Sequence, residues 1–333
     1  MKKSAIFPAW VQILQGRRPF LSIEITKECP LRCPGCYAYE PRHLGGSVVL
    51  RQLSDFRGDE LVNRVLALVQ RYRPLHLSIV GGEPLVRYRE LGALLPELAR
   101  WKMEVQLVTS AVRPIPVEWN RIEELHLVVS VDGLQPEHDA RRFPATYERI
   151  LQNIAGHQVT VHCTITRQML RRSDDLFQFV HYWSGRPEVR KIWFSLYTPQ
   201  EGDRSEERLQ SGDRVRVVRE LARIRPQFPK LHAPDAVLKG FLEPPRSPQS
   251  CVFSQVTQCF TADLSTRIEP CQFGGRPVCS ECGCLASAAM ASVANQRFGG
   301  LVRVADIFTV SRRLGQQAND LVSRLGIAKE PPT

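Results

Sequence analysis

The sequence contains no apolar run approaching the ~20 residues that a membrane-spanning helix requires. Its N-terminus, MKKSAIFPAWVQILQGRRPF, has a basic start and a short apolar stretch. However, Pro8 interrupts that stretch, Gln12 and Gln15 follow, and no small-residue cleavage site is visible. It therefore reads poorly as an export signal. Trp10, Val11, Ile13 and Leu14 would instead share one face of a short helix, expected to pack on the body of the protein, with membrane-surface contact as the other use of such a face. Repeats at solenoid spacing, RNP-type aromatic motifs and finger spacings are also missing. The charge of +11 comes from Arg-rich pieces scattered along the chain (RRPF, RYRP, ARRF, RQMLRRSDD), which favours anionic partners in general without specifying nucleic acid. With no export signal, the ten cysteines argue against a disulfide scaffold and for thiolate ligands in a reducing compartment, so the cytoplasm is expected.

What is present is enough for a large core: 333 residues, 43% of them hydrophobic. Six β-rich runs, FLSIEIT (20–26), LHLSIV (75–80), VQLVT (105–109), LHLVVSVD (125–132), VTVHCTI (159–165) and KIWFSLY (191–197), alternate with helix-like segments. In ELVNRVLALVQRY, Leu61, Val65, Leu68 and Val69 recur with a period near 3.6. This alternation predicts an α/β fold of parallel strands joined by right-handed crossovers, either an open doubly wound sheet or a partial barrel. Both place the site at the carboxyl ends of the strands. The charged stretch EGDRSEERLQSGDR reads as a helix start, and the Pro-rich LEPPRSPQS (242–250) as a boundary. The expected division is an N-terminal helix (1–19), a core (20–200), a connector (201–250) and a Cys-rich remainder (251–333).

Directly after the first strand comes KECPLRCPGCYAYE, with Cys29, Cys33 and Cys36 at C-x3-C-x2-C spacing. Three cysteinates can hold three irons of a 4Fe–4S cluster and leave one iron open for an external ligand. Pro30, Pro34 and Gly35 would stiffen the loop. A zinc site completed by His43 or a distant cysteine is the alternative. GGEP (81–84) ends the second strand: its glycines permit close approach to backbone, and Glu83 offers a carboxylate to an ammonium group. An ordinary strand-to-helix turn would use the same residues. SVDG ends the fourth strand, with Ser130 and Asp132 on one face able to bond ribose hydroxyls, although Asp-Gly also marks plain turns.

Taken together, CxxxCxxC, GGEP and SxDG after the first, second and fourth strands, with Tyr37 directly following the third cysteine, resemble the radical S-adenosylmethionine (SAM) superfamily over roughly residues 20–200. The resemblance implies a partial (β/α)6 TIM-type barrel with a small irregular Cys-rich C-terminal domain. It implies that Cys29, Cys33 and Cys36 ligate a 4Fe–4S cluster whose fourth iron is chelated by SAM, and that backbone near Tyr37 meets adenine. Gly81, Gly82 and Glu83 would bind the methionyl ammonium, and Ser130 and Asp132 the ribose. In EHDARRF, His138, Asp139 and Arg142 resemble an H-D-x-x-R whose arginine meets the SAM carboxylate, a charge-assisted pairing suited to guanidinium. Arg141 beside it leaves a solvated Arg pair as the other reading. The implied activity is reductive cleavage of SAM to a 5′-deoxyadenosyl radical, supplied with electrons by a partner such as flavodoxin or ferredoxin. That radical would abstract hydrogen from, or add to, an organic substrate.

Residues 251–290 hold Cys251, Cys259, Cys271, Cys279, Cys282 and Cys284. The run resembles a SPASM or twitch extension binding an auxiliary 4Fe–4S cluster, with IEPC (268–271) as the ligand-bearing hairpin. It departs from that pattern in a Ser-Thr pair (265–266) where glycine is expected, and in compressed terminal spacings. Cys259, Cys271, Cys279 and Cys282 form the expected set, Cys251 and Cys284 compete, and a zinc ribbon is the alternative. Cys163, alone in a strand, is expected in the core; the strand KIWFSLY is expected to help wall the cavity, with Trp193 and Phe194 in a core role rather than in direct substrate contact. Peptide maturases share the extension, whereas AWVQILQGRRPFLSIEI resembles the entry of hopanoid adenosyltransferase-like proteins and would suggest a lipid substrate. The non-enzymatic reading is an electron carrier or zinc-stabilised adaptor. RNA modification rests on the charge alone.

Overall fold

The structure, a computed structural model, describes residues 6–324 except 47, 211, 299 and 300. The basic start of the chain and residues 325–333 lie outside the described residues. Each expected strand forms: β1 (Phe20–Glu24), β2 (His76–Val80), β3 (Glu104–Thr109), β4 (Leu125–Ser130), β5 (Val159–Ile165) and β6 (Val189–Leu196). A seventh, β7 (Thr257–Phe260), comes from the Cys-rich region and pairs in parallel with β1. The order β6-β5-β4-β3-β2-β1-β7 runs monotonically through the first six strands, with no reversal as in a doubly wound sheet, so the arrangement is that of a partial barrel. The expected divide near residue 250 is therefore not a break in the sheet.

The helices are α1 (Ile6–Leu14), α2 (Gly58–Tyr72), α3 (Tyr88–Arg100), α4 (Glu137–Arg142), α5 (Tyr147–Ile154), α6 (Asp175–Ser184), α7 (Asp213–Ile224), α8 (Asp235–Leu242), α9 (Val252–Val256), α10 (Leu285–Ala294) and α11 (Val304–Arg324). α2 shows why they pack as they do. Leu61, Val65, Leu68, Val69 and Tyr72 make one buried stripe, with Asp59 and Glu60 in the first turn and Arg71 in the last, matching the helix dipole. α1 packs against α11, and Trp10 Nε1 donates to Ser311 Oγ at 2.9 Å, so the N-terminal helix docks on the protein while Phe7 stays exposed. Among the described residues no helix is long and apolar enough to cross a membrane.

The two faces of the sheet differ chemically. Leu21, Ile23, Leu77, Ile79, Val105, Leu107, Leu127, Val129, Val161, Cys163, Ile192 and Phe194 join one apolar core with the helices. The alternate residues, including Ser22, Glu24, Gln106, Ser130, His162 and Ser195, face the other way. Cys163 and Phe194 are core residues as expected. Trp193 is not: it lies half-buried on the polar face, registered beside His162, with its Nε1 buried and unpartnered.

Candidate functional site

Parallel pairing brings the carboxyl ends of β1 to β4 to one edge, and the three sequence motifs meet there. The cysteine loop follows β1. The Cys33 and Cys36 charges both act on Cys29, and burial is the largest influence on each of the three thiols, pushing Cys29 up to about 12. Opposing that, backbone N–H groups point at the sulfurs, from Leu31 toward Cys29 and from Ala38 and Tyr39 toward Cys36. Among the described residues no three His, Cys, Asp or Glu side chains converge as a single-ion site. A four-iron cluster is held by thiolates arranged around it, which is the kind of donor set this loop offers.

The GGEP turn is pinned onto the same loop. A Cβ at Gly81 would lie 2.2 Å from Cβ of Glu24, and one at Gly82 only 2.3 Å from the Glu28 carbonyl oxygen, so both glycines allow backbone to pack on backbone. The Glu83 N–H donates to that Glu28 oxygen at 2.8 Å. The Glu83 carboxylate is buried and accepts from Leu85 N (2.9 Å), Thr109 Oγ1 (2.5 Å), Ser110 N (2.8 Å) and Ser110 Oγ (2.5 Å). It thus ties the end of β2 to the end of β3, and its acceptor positions are engaged by the chain itself. Arg87 in the following turn bonds Glu28 and Asp55, and Asp55 accepts from Thr26, which completes the tie between the two loops.

After β4, Asp132 is buried and its Oδ2 accepts from Arg141 Nε (3.1 Å) and Arg142 Nη1 (3.0 Å). Burial alone would raise this carboxyl; the Arg142 and Arg141 guanidiniums outweigh it and hold it at about 2. The arginine pair is therefore not a solvated one. Arg142 acts electrostatically on both Cys33 and Cys36, and its Nε is buried without a partner. Arg141, expected only as the neighbour of Arg142 in a solvated pair, donates to the Pro34 carbonyl between Cys33 and Cys36 and pairs with Glu207. His138 does not face the site. Its Nδ1 accepts from Asp132 N and its Nε2–H donates to Ala145 O, and burial keeps it neutral, with a pKa of about 4.

Tyr37 lies in a single 3-10 turn, its ring edge-on to His43 and to Phe273. His43, considered above as a zinc ligand, bonds Glu24 Oε1 through Nε2 and the Phe273 carbonyl through Nδ1, both at 2.9 Å. Through it the first cysteine loop rests on the Cys-rich region. There, Cys251, Cys271, Cys279, Cys282 and Cys284 line one small pocket with Ser287. Cys259 does not line it: registered opposite Ser22 on β7, it is buried near Glu24 and Arg18. The hairpin before IEPC forms without its glycine. Leu264 takes φ of 54°, and Asp263 holds the turn by accepting from Ser265 N, Thr266 N and Thr266 Oγ1.

Residues 23–166 match the family model of the Radical SAM superfamily. The chain is 31% identical over 124 residues to 7-carboxy-7-deazaguanine synthase of Hyperthermus butylicus, covering 35% of this chain and 47% of that protein. It is 24% identical over 284 residues to molybdenum cofactor biosynthesis protein 1 of Drosophila melanogaster, covering 77% and 46% respectively. The chain thus spans about half the length of these curated relatives. In fold it is similar to Streptococcus suis SuiB bound to S-adenosylmethionine (TM-score 0.53, 14% identity, 74% of this chain and 57% of that one). It is also similar to anSMEcpe with bound AdoMet (TM-score 0.55, 17% identity, 76% and 75%).

Proposed function

We propose that this chain, an enzyme carrying a radical SAM domain, cleaves SAM reductively at a 4Fe–4S cluster held by Cys29, Cys33 and Cys36. When bound, such a cluster with its open iron supplies the electron that divides SAM into methionine and a 5′-deoxyadenosyl radical. One observation carries the reading: Arg142, whose charge acts on Cys33 and Cys36, has a buried Nε without a partner, and a carboxylate there would complete its bonding. Asp132 orients that guanidinium and, with Ser130, offers oxygen atoms to a ribose. Because Glu83 is engaged by Thr109 and Ser110, backbone of the GGEP turn rather than a free carboxylate meets the ammonium group, and Glu83 fixes that turn. Backbone at Tyr37 is the adenine contact.

Cys251, Cys271, Cys279 and Cys282 are the proposed ligands of one auxiliary cluster, with Cys284 as a neighbour. The polar row Ser22, Glu24, Gln106, Ser130, His162 and Ser195 favours a substrate rich in hydrogen-bonding groups over an apolar lipid. Stimulation of SAM cleavage by lipid vesicles alone would sink that preference.

The test is metal content and electron paramagnetic resonance of anaerobic wild type beside the Cys29, Cys33, Cys36 triple alanine variant. About eight irons per chain falling to about four, with a SAM-sensitive signal only in the wild type, is the expected result. Zinc at both sites would refute it.

A further inference from the structure

The segment between β6 and α7 reads from sequence as a charged helix start. In the structure the helix begins only at Asp213, and residues 201–210 form a folded loop. Asp203 organises it, accepting from Tyr197 Oη (2.9 Å) and Ser205 N (2.7 Å). The loop lies directly on the first cysteine loop. A Cβ at Gly35 would sit 3.2 Å from the Tyr197 ring and 3.4 Å from Glu207 Oε2.

We propose that this connector positions both cysteine loops, Glu207 acting on the first through Arg141 and Arg214 acting on the second directly. The inference rests on the cluster assignment above.

For the first loop the chain of contacts is short. Glu207 is buried and pairs with Arg141 Nη1, Arg141 Nη2 donates to Pro34 O at 2.9 Å, and Arg141 Nε donates to Asp132 at 3.1 Å. A guanidinium presents its donors in a rigid fork, so fixing two of them aims the third. Without Glu207, Arg141 would retain a single carboxylate partner, Asp132 Oδ2, an atom already shared with Arg142. The Pro34 carbonyl, between two cluster cysteines, would then lose its aimed donor.

For the second loop, Arg214 in the first turn of α7 bonds three carbonyls: Glu281 (2.6 Å), Cys282 (2.9 Å) and Phe241 (2.7 Å). These join the Cys279–Cys282 turn to the end of α8. A lysine, with one nitrogen, cannot span them. Arg208 also reaches Glu281, through its carboxylate, but that pair is over a third exposed on both sides and contributes little.

Partners that orient metal ligands typically contribute about ten- to hundredfold in metal retention. In reconstituted full-length protein, Glu207→Gln should speed iron loss from the SAM-responsive cluster to a ferrous chelator about tenfold or more, and leave the other cluster's signal in place. Arg214→Gln should do the reverse, with Arg214→Lys giving no rescue. Arg141→Met combined with Glu207→Gln should lose iron no faster than the worse single variant, and Arg208→Gln should match wild type. Thermal melts and Glu207→Asp separate loop loosening from misfolding. Unchanged release in both variants, or equal acceleration of both clusters by either one, would overturn the proposal. A wild type that binds no iron would instead overturn the cluster assignment.

Discussion

Gly274 and His43 meet backbone to backbone: a Cβ at 274 would lie 1.9 Å from the His43 carbonyl oxygen, and Gly274 has φ of +61°. The next residue, Gly275, donates its N–H to that same oxygen at 3.0 Å, while the His43 ring reaches Glu24 and the Phe273 carbonyl. The segment after Cys36 and the segment after Cys271 are thereby held in contact.

Gly274→Ala should therefore cost about 3 kcal/mol of stability, combining overpacking against fixed backbone with an unfavourable φ. Denaturant unfolding of the variant against wild type checks this. A loss under half a kcal/mol would mean that the two segments separate easily.

Glu83→Gln should cost about 2 kcal/mol or more, because an amide brings an NH2 group against donors at Thr109 or Ser110 and leaves part of the set unmatched. SAM affinity, measured by calorimetry, should fall with it. Reduced SAM affinity at unchanged stability would show instead that the carboxylate itself meets the ligand.

Cys251→Ala and Cys259→Ala should differ. The first removes a thiol from the pocket shared with Cys271, Cys279 and Cys282 and should release the auxiliary iron; the second lies on β7 and should retain it. Iron content per chain decides between them, and loss of iron in Cys259→Ala alone would reverse the assignment.

His138 carries a pH dependence of definite sign. Burial first, and Arg142 second, hold it near pKa 4 in the fold, against about 6.5 in an unfolded chain. The unfolded state thus binds the extra proton between these values. The contribution is fully present above pH 6.5 and is lost as pH falls through 4, by roughly 3 kcal/mol. His138→Gln, which can still accept from Asp132 N and donate to Ala145 O, should lower the slope of stability against pH by about one proton in that window. An unaltered slope would mean that His138 is already charged in the fold.

The six strands and the position of the cysteine loop at a strand end were legible because alternation and motif spacing are local properties of the chain. The motifs SVDG and EHDARRF were legible too, but not the pairing of Asp132 with Arg142, since the two were read as separate ligand contacts. Arg141 was not, since its partners Pro34 and Glu207 lie 107 and 66 residues away in sequence. Trp193 was assigned to the core on apolarity alone, whereas register with His162 puts it on the polar face.

The sequence by itself determined the alternating β/α plan, the three-cysteine loop and the turns that follow the second and fourth strands. These depend on periodicity and on short spacings, which survive without a fold. Only the tertiary structure decided which cysteines share the second pocket, that β7 closes onto β1, and that Glu83 and Glu207 spend their charge on the protein's own donors. Those outcomes depend on contacts between distant segments, where burial makes an unmet hydrogen bond costly and so selects partners that no local pattern names.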